Sequence, residues 1–221
     1  ENTSSTTAYP VAITNSEFDD NGLGSEIYSK GSISINGVSA SRNYGTGMYI
    51  ETLGAVTIKN GVFSDNQFYD DNYLQDWGIG LNIHNQTTTA AVTLENIQAN
   101  GNGDSGVWVT TIGAITAKTI NASNNWGRGM FIAPHTIWTY PTTVSISDGV
   151  FNSNAAVGLQ VEAKGNVTLS YVNASDNAWN GVYVDNCVWD GAKCSGTGTV
   201  TILNPYQAPM EFNWNGSAGM F

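Results

Sequence analysis

The chain has 221 residues, 41% of them hydrophobic, enough for one well-buried core and a single domain spanning 1–221. Only 11% are charged, yet the net charge is −11, so nucleic-acid phosphates and anionic membrane surfaces are repelled as partners. No apolar run reaches bilayer-spanning length, so membrane insertion is not expected. With no initiator Met and no charged leader, the chain reads as a processed product or an excerpt.

Residues 1–10, ENTSSTTAYP, read as a loop leading into a strand. Eight segments then open alike: VAIT at 11, ISIN at 33, VTIK at 56, VTLE at 92, ITAK at 115, VSIS at 144, VTLS at 167 and VTIL at 200. Each alternates apolar and polar residues, as a strand with one buried face does. Ten residues after the opener stands an asparagine in seven of the eight: Asn21, Asn43, Asn66, Asn102, Asn125, Asn154 and Asn177.

Four residues after five of these comes Gly followed by an apolar-any-apolar triplet, as in Gly47-Met-Tyr-Ile and Gly106-Val-Trp-Val, and Gly80-Leu-Asn-Ile joins them once an insertion is allowed. The resulting period of 22 to 23 residues predicts one coil of a solenoid with about three short strands. Gly and Asn are expected at turns with positive φ. Asparagine recurring at one turn predicts a ladder of stacked side-chain amides inside the coil.

Seven residues after each opener lie Phe18, Ala40, Phe63, Ala99, Ala122, Phe151 and Ala174, and two residues earlier Ser16, Val38, Gly61, Ile97, Ile120, Gly149 and Val172. Phe always follows Ser or Gly, and Ala always follows Val or Ile. Volume is exchanged between two positions sharing one interior, as close packing requires. This pattern resembles the right-handed parallel β-helix of pectate lyases, polygalacturonases, phage tailspikes and many secreted surface proteins. The resemblance covers the whole chain and implies an all-β solenoid without implying an activity; the openers give about eight coils, and because no helix-period segment stands at either terminus, uncapped ends are expected.

The middle residues of the triplets, Tyr49, Asn82, Trp108, Phe131, Gln160, Tyr183 and Phe221, are expected to face outward. The aromatic members Tyr49, Trp108, Phe131, Tyr183 and Phe221 could then contact polysaccharide or a lateral neighbour, unless inserted loops cover them. In the insertion at 67–77, Asp70, Asp71 and Asp76 read as a solvated acidic loop, with Ca²⁺ ligation as the alternative; no cofactor is expected. Cys187 and Cys194, seven apart, suit a disulfide and an extracellular or cell-surface location. Six N-x-S/T sites, at Asn2, Asn85, Asn121, Asn166, Asn173 and Asn215, permit glycosylation without arguing for it.

Lyase or hydrolase chemistry would need clustered acids, or acids with an Arg or Lys base. Arg42 and Arg128 stand three coils apart, Asp19, Asp20, Asp65, Asp148 and Asp176 form no adjacent-coil pair, and His84 and His135 are placed in loops without acidic partners. Gly219-Met-Phe aligns with Gly129-Met130-Phe131, and residues 1–10 resemble what should follow it, so the eighth coil is expected to continue into the N-terminus of another copy. The expectation is a non-catalytic extracellular building block of a surface filament, sheath or long adhesin, its copies joined head to tail. The alternative is a carbohydrate-binding or polysaccharide-degrading β-helix enzyme.

Overall fold

The alternating segments become strands in the computed structural model, which describes residues 7–67, 78–85, 89–133, 143–187, 193, 198–204 and 210–221. In chain order these are β1 (Val11–Glu17), β2 (Ser25–Ser29), β3 (Ile33–Ser39), β4 (Met48–Thr52), β5 (Val56–Val62), β6 (Leu81–Asn85), β7 (Val92–Gln98), β8 (Val107–Thr111), β9 (Ile115–Asn121), β10 (Met130–Ala133), β11 (Val144–Val150), β12 (Leu159–Glu162), β13 (Val167–Asn173), β14 (Val182–Asp185) and β15 (Val200–Leu203). Among the described residues there is no helix. Odd-numbered strands form one eight-stranded sheet and even-numbered strands one seven-stranded sheet, each in simple sequential order. All strand pairs are parallel, and the chain passes from one sheet to the other at every step, an arrangement consistent with a β-solenoid.

The openers predict the register of the first sheet residue for residue. Val11 pairs with Ile33, Ile33 with Val56, Val56 with Val92, and so on to Val167 with Val200. The pairing skips the fifth residue of each seven-residue strand, as between Thr14↔Asn36 and Ser16↔Val38. That residue is left-handed throughout: Asn15, Gly37, Asn60, Asn96, Thr119, Asp148 and Tyr171 have φ between 48° and 66°. It acts as a bulge that bends every strand at one place.

A second left-handed residue occurs in each repeat, but it is not the ladder asparagine. It is the residue just before it: Asp20, Arg42, Asp65, Gly101, Asn124, Ser153, Asp176 and Trp214. The expectation of positive φ at the asparagines is corrected accordingly: the preceding residue takes the turn, which lets the asparagine amide point inward. The same residue interrupts what was expected to be a third strand. Two strands per repeat form instead, although backbone bonds between repeats continue through the turn, as in Phe18 N–H to Ser39 O (2.9 Å) and Asp20 N–H to Ser41 O (3.1 Å).

The core lies between the sheets. Apolar residues of alternate positions, such as Ile33, Ile35, Val56, Ile58, Leu81 and Ile83, are almost wholly buried. The volume exchange is physical contact: a Cβ on Gly61 would lie 2.5 Å from Phe63 Cε2, and one on Gly149 2.5 Å from Phe151 Cε2. Where Ala40, Ala99, Ala122 and Ala174 replace the ring, Val38, Ile97, Ile120 and Val172 fill the space. Burying each such ring contributes on the order of 2–3 kcal/mol.

Candidate functional site

The predicted asparagine ladder forms with one polarity. Asn43 N–H and Nδ2 both donate to Asn66 Oδ1 at 3.0 Å. Asn66 does the same to Asn102 Oδ1 (3.1 and 3.0 Å), Asn102 to Asn125, Asn125 to Asn154, and Asn154 to Asn177. Asn21 enters through its N–H alone, donating to Asn43 Oδ1 at 2.9 Å. The structure adds an eighth member, because Asn177 N–H and Nδ2 donate to Asn215 Oδ1 at 3.0 and 3.1 Å. Asn215 escapes the ten-residue offset since extra residues after β15 displace it; the Asn-Gly that begins its turn was the available signal.

The repeated glycines are explained by this ladder. A Cβ on Gly106 would lie 2.8 Å from Asn125 Nδ2 and 2.4 Å from Ala99 O, and Gly47, Gly80, Gly129, Gly158 and Gly181 are hemmed in alike. Close approach, not positive φ, demands glycine there. Gly24 holds the same place in the first repeat, three residues after Asn21 instead of four.

A second buried polar file, unforeseen from the sequence, closes the seven-stranded sheet. Ser29 Oγ, Thr52 Oγ1 and Thr111 Oγ1 each accept from the glycine N–H two residues on, at 3.0 Å, in a Ser/Thr-x-Gly pattern visible at all three places. Asn85 occupies the same column, its Nδ2 donating to Gly54 O and Ala90 O at 3.0 Å. Asn85 is therefore fully buried and unavailable to a glycan in this fold. Among the other N-x-S/T sites, Asn121 is exposed, Asn166 and Asn173 accept backbone N–H bonds, Asn215 belongs to the ladder, and Asn2 lies outside the described residues.

The triplet residues do share one outer file. Tyr49, Asn82, Trp108, Phe131, Gln160 and Tyr183 are register neighbours on successive even-numbered strands, with Phe221 beside Tyr183. All are half-buried except Phe221, which is 73% exposed. Trp108 packs on Phe131 (centroids 5.1 Å apart), Tyr183 stacks on Phe221 (5.6 Å, 2° between planes), and the Arg128 guanidinium lies 4.5 Å over the Phe131 ring. Among the described residues, Trp108 Nε1 and Asn82 Oδ1 are buried without a hydrogen-bond partner.

Beside it runs a more polar file. His84 lies on β6, in register with Glu51 and with its ring 5.3 Å from Tyr49, not in a loop away from acids as expected; a strand continues through Asn85 because that side chain turns inward. Burial, helped by Glu51, pushes the Tyr49 hydroxyl up to about 12. Glu162 and Asp185 form an adjacent-strand carboxylate pair, which the spacing of aspartates alone does not reveal. Burial raises the Glu162 pKa, Asp185 adds to the rise, and the bond from Gln160 Nε2 (2.8 Å) opposes it. Arg128 Nε donates to Gln160 Oε1 at 2.6 Å, tying the two files together. Asp19 and Asp20 also find a partner across repeats, since Arg42 lies 3.2 and 2.9 Å from them.

Asp70, Asp71, Asp76, His135 and Cys194 lie outside the described residues, so the acidic loop and the Cys187–Cys194 pairing stay expectations. At the edges of the eight-stranded sheet the interior opens: Val200 and Ile202 of β15 are 40% and 45% exposed, whereas their β13 neighbours Val167 and Leu169 are fully buried. The chain matches no family model, no curated protein and no solved structure.

Proposed function

We propose that the chain is a right-handed parallel β-helix of eight coils and serves as a non-catalytic building block of an extracellular filament, sheath or long adhesin. Its partner is another copy of itself, joined head to tail, with residues 1–10 completing the eighth coil of the preceding copy. The observation that carries this reading is the polarity of the asparagine ladder. Each Oδ1 accepts from the preceding repeat, so Asn21 presents an acceptor at one end and the Asn215 N–H a donor at the other. Among the described residues neither group has a partner, and the two match each other. The apolar residues of β15 would meet Val11 and Ile13 of the next copy in the same register.

Strands stacked about 4.8 Å apart give an advance of roughly 38 Å for eight coils. Electron microscopy of the native material should show filaments with that axial repeat. Discrete particles of one chain would overturn the reading. A carbohydrate-active β-helix is the second reading, favoured by the Glu162 and Asp185 pair, since two carboxyls on adjacent strands, the Glu162 one with its pKa raised by burial, are the groups an acid/base arrangement needs. Release of sugar from a polysaccharide panel, lost in Asp185→Asn, would support it; an inert panel would exclude it.

A further inference from the structure

The corner that carries the ladder exposes large aromatic side chains which the sheets do not use. Trp126 is 67% and Trp214 86% exposed. Beside Trp126 runs a shallow groove of about 400 Å³, walled by that ring and floored by Ala155 and Ala178. The floor is small because these alanines hold the positions that Trp126 holds in its own repeat, as the bonds from Ala155 N–H to Asn125 O and from Ala178 N–H to Asn154 O show (both 2.9 Å).

Along the groove stand Asn124, Ser153 and Asp176, one per repeat, all exposed. They are the left-handed residues of three successive repeats, and Trp214 is the left-handed residue of the fourth. Among the described residues, none of these three polar side chains makes a hydrogen bond. An amide, a hydroxyl and a carboxylate are thus spaced by one strand separation each, with the Trp126 indole beside the first and Trp214 one repeat beyond the last.

We propose that this groove binds a neutral polysaccharide lying parallel to the stacking direction. A pyranose ring presents an apolar face to an indole and hydroxyls, both donors and acceptors, at its edge, which is what a mixed amide, hydroxyl and carboxylate file satisfies. A net charge of −11 disfavours an acidic polymer. An extended peptide would need unpaired backbone groups to bond, and the N–H groups of this corner are already engaged between repeats. The site is independent of how copies join end to end.

The test is affinity electrophoresis of the intact chain through gels containing hydroxyethyl cellulose, galactomannan, xylan or dextran, with alginate as the acidic control. At least one neutral polymer should retard it and alginate should not. Trp126→Ala and Asp176→Gly, the latter chosen because glycine accepts the left-handed backbone at that position, should each weaken retardation about tenfold. Both positions are exposed, so melting curves should be unchanged and establish that the variants fold. Trp179→Ala, on the same corner but outside the groove, should behave as the parent. Indifference to all four neutral polymers, retardation by alginate alone, or retardation untouched by Trp126→Ala would each overturn the proposal. So would loss of side-by-side association of copies in Trp126→Ala without any glycan binding, which would make the groove a protein contact.

Discussion

Asn102 is fully buried, and its side chain completes three hydrogen bonds: two accepted from Asn66 and one donated to Asn125. Replacing it with leucine preserves approximate volume but strands the two Asn66 donors where water cannot reach. Asn102→Leu should cost on the order of 3 kcal/mol, read as a lower urea midpoint with an unchanged slope. A loss under about 1 kcal/mol would mean that the ladder is ornamental to stability. Glu162 poses the opposite problem, a carboxylate held where charge is disfavoured. Its folded pKa lies above the ordinary 4.5, so the folded state favours the protonated form. Its effect on stability is therefore most favourable below the unfolded pKa and declines as pH rises from there through the folded value. Glu162→Gln keeps the acceptor for Gln160 Nε2 and should raise the melting temperature at about pH 7 while changing little at about pH 3.5. An equal gain at both pH values would show that charge is not the cause.

Strand and turn are joined by the exchange of volume between Gly61 and Phe63. Phe63→Ala alone leaves a ring-sized void and should cost about 3–5 kcal/mol. Gly61→Val alone drives a branched side chain into a ring that already lies 2.5 Å from the position of its Cβ, and should cost about 1–3 kcal/mol. Together they recreate the Val38 and Ala40 pairing one repeat away, so the double variant should recover most of the loss in a chemical-denaturation cycle. Simple additivity of the two losses would refute a shared interior. This pair shows why so much of the fold was legible. Alternation fixed the strand starts and register, and compensation between two positions revealed which side chains meet. What stayed hidden has equally local causes. The left-handed residues were masked because thirteen of fifteen are not glycine, Thr119, Tyr171 and Trp214 among them. Asn215 and Gly24 stayed hidden because insertion and deletion shift their offsets, and the Glu162 and Asp185 pair because its members are a glutamate and an aspartate at strand ends and not a repeated aspartate at one offset.

Stacking of this kind leaves an asymmetric problem at the two edges of a sheet. Every interior strand is covered on both sides, but β15 offers Val200, Ile202 and Leu203 at 40–45% exposure. An uncovered edge with apolar residues invites addition of another strand. Under the proposed head-to-tail junction, Ile202 of one copy packs beside Ile13 of the next, continuing the column in which Ile13 pairs with Ile35 and Leu169 with Ile202. Ile202→Asp would place a carboxylate in that column. In the isolated chain the residue is nearly half exposed, so the charge reaches water and folding should lose little. In a stacked pair the charge would be buried without a partner, at a cost of several kcal/mol, enough to dissolve a junction held by one layer of side chains. Sedimentation velocity should find the parent in long assemblies and Ile202→Asp as single chains, with nearly equal melting temperatures. Raising the salt should lengthen parental assemblies, since each copy carries −11 and repels the next across a screened distance. It should not restore the variant, whose defect is desolvation rather than repulsion. If Ile202→Asp assembles as the parent does, copies meet through some other surface, and the apolar edge of β15 is covered from within its own chain.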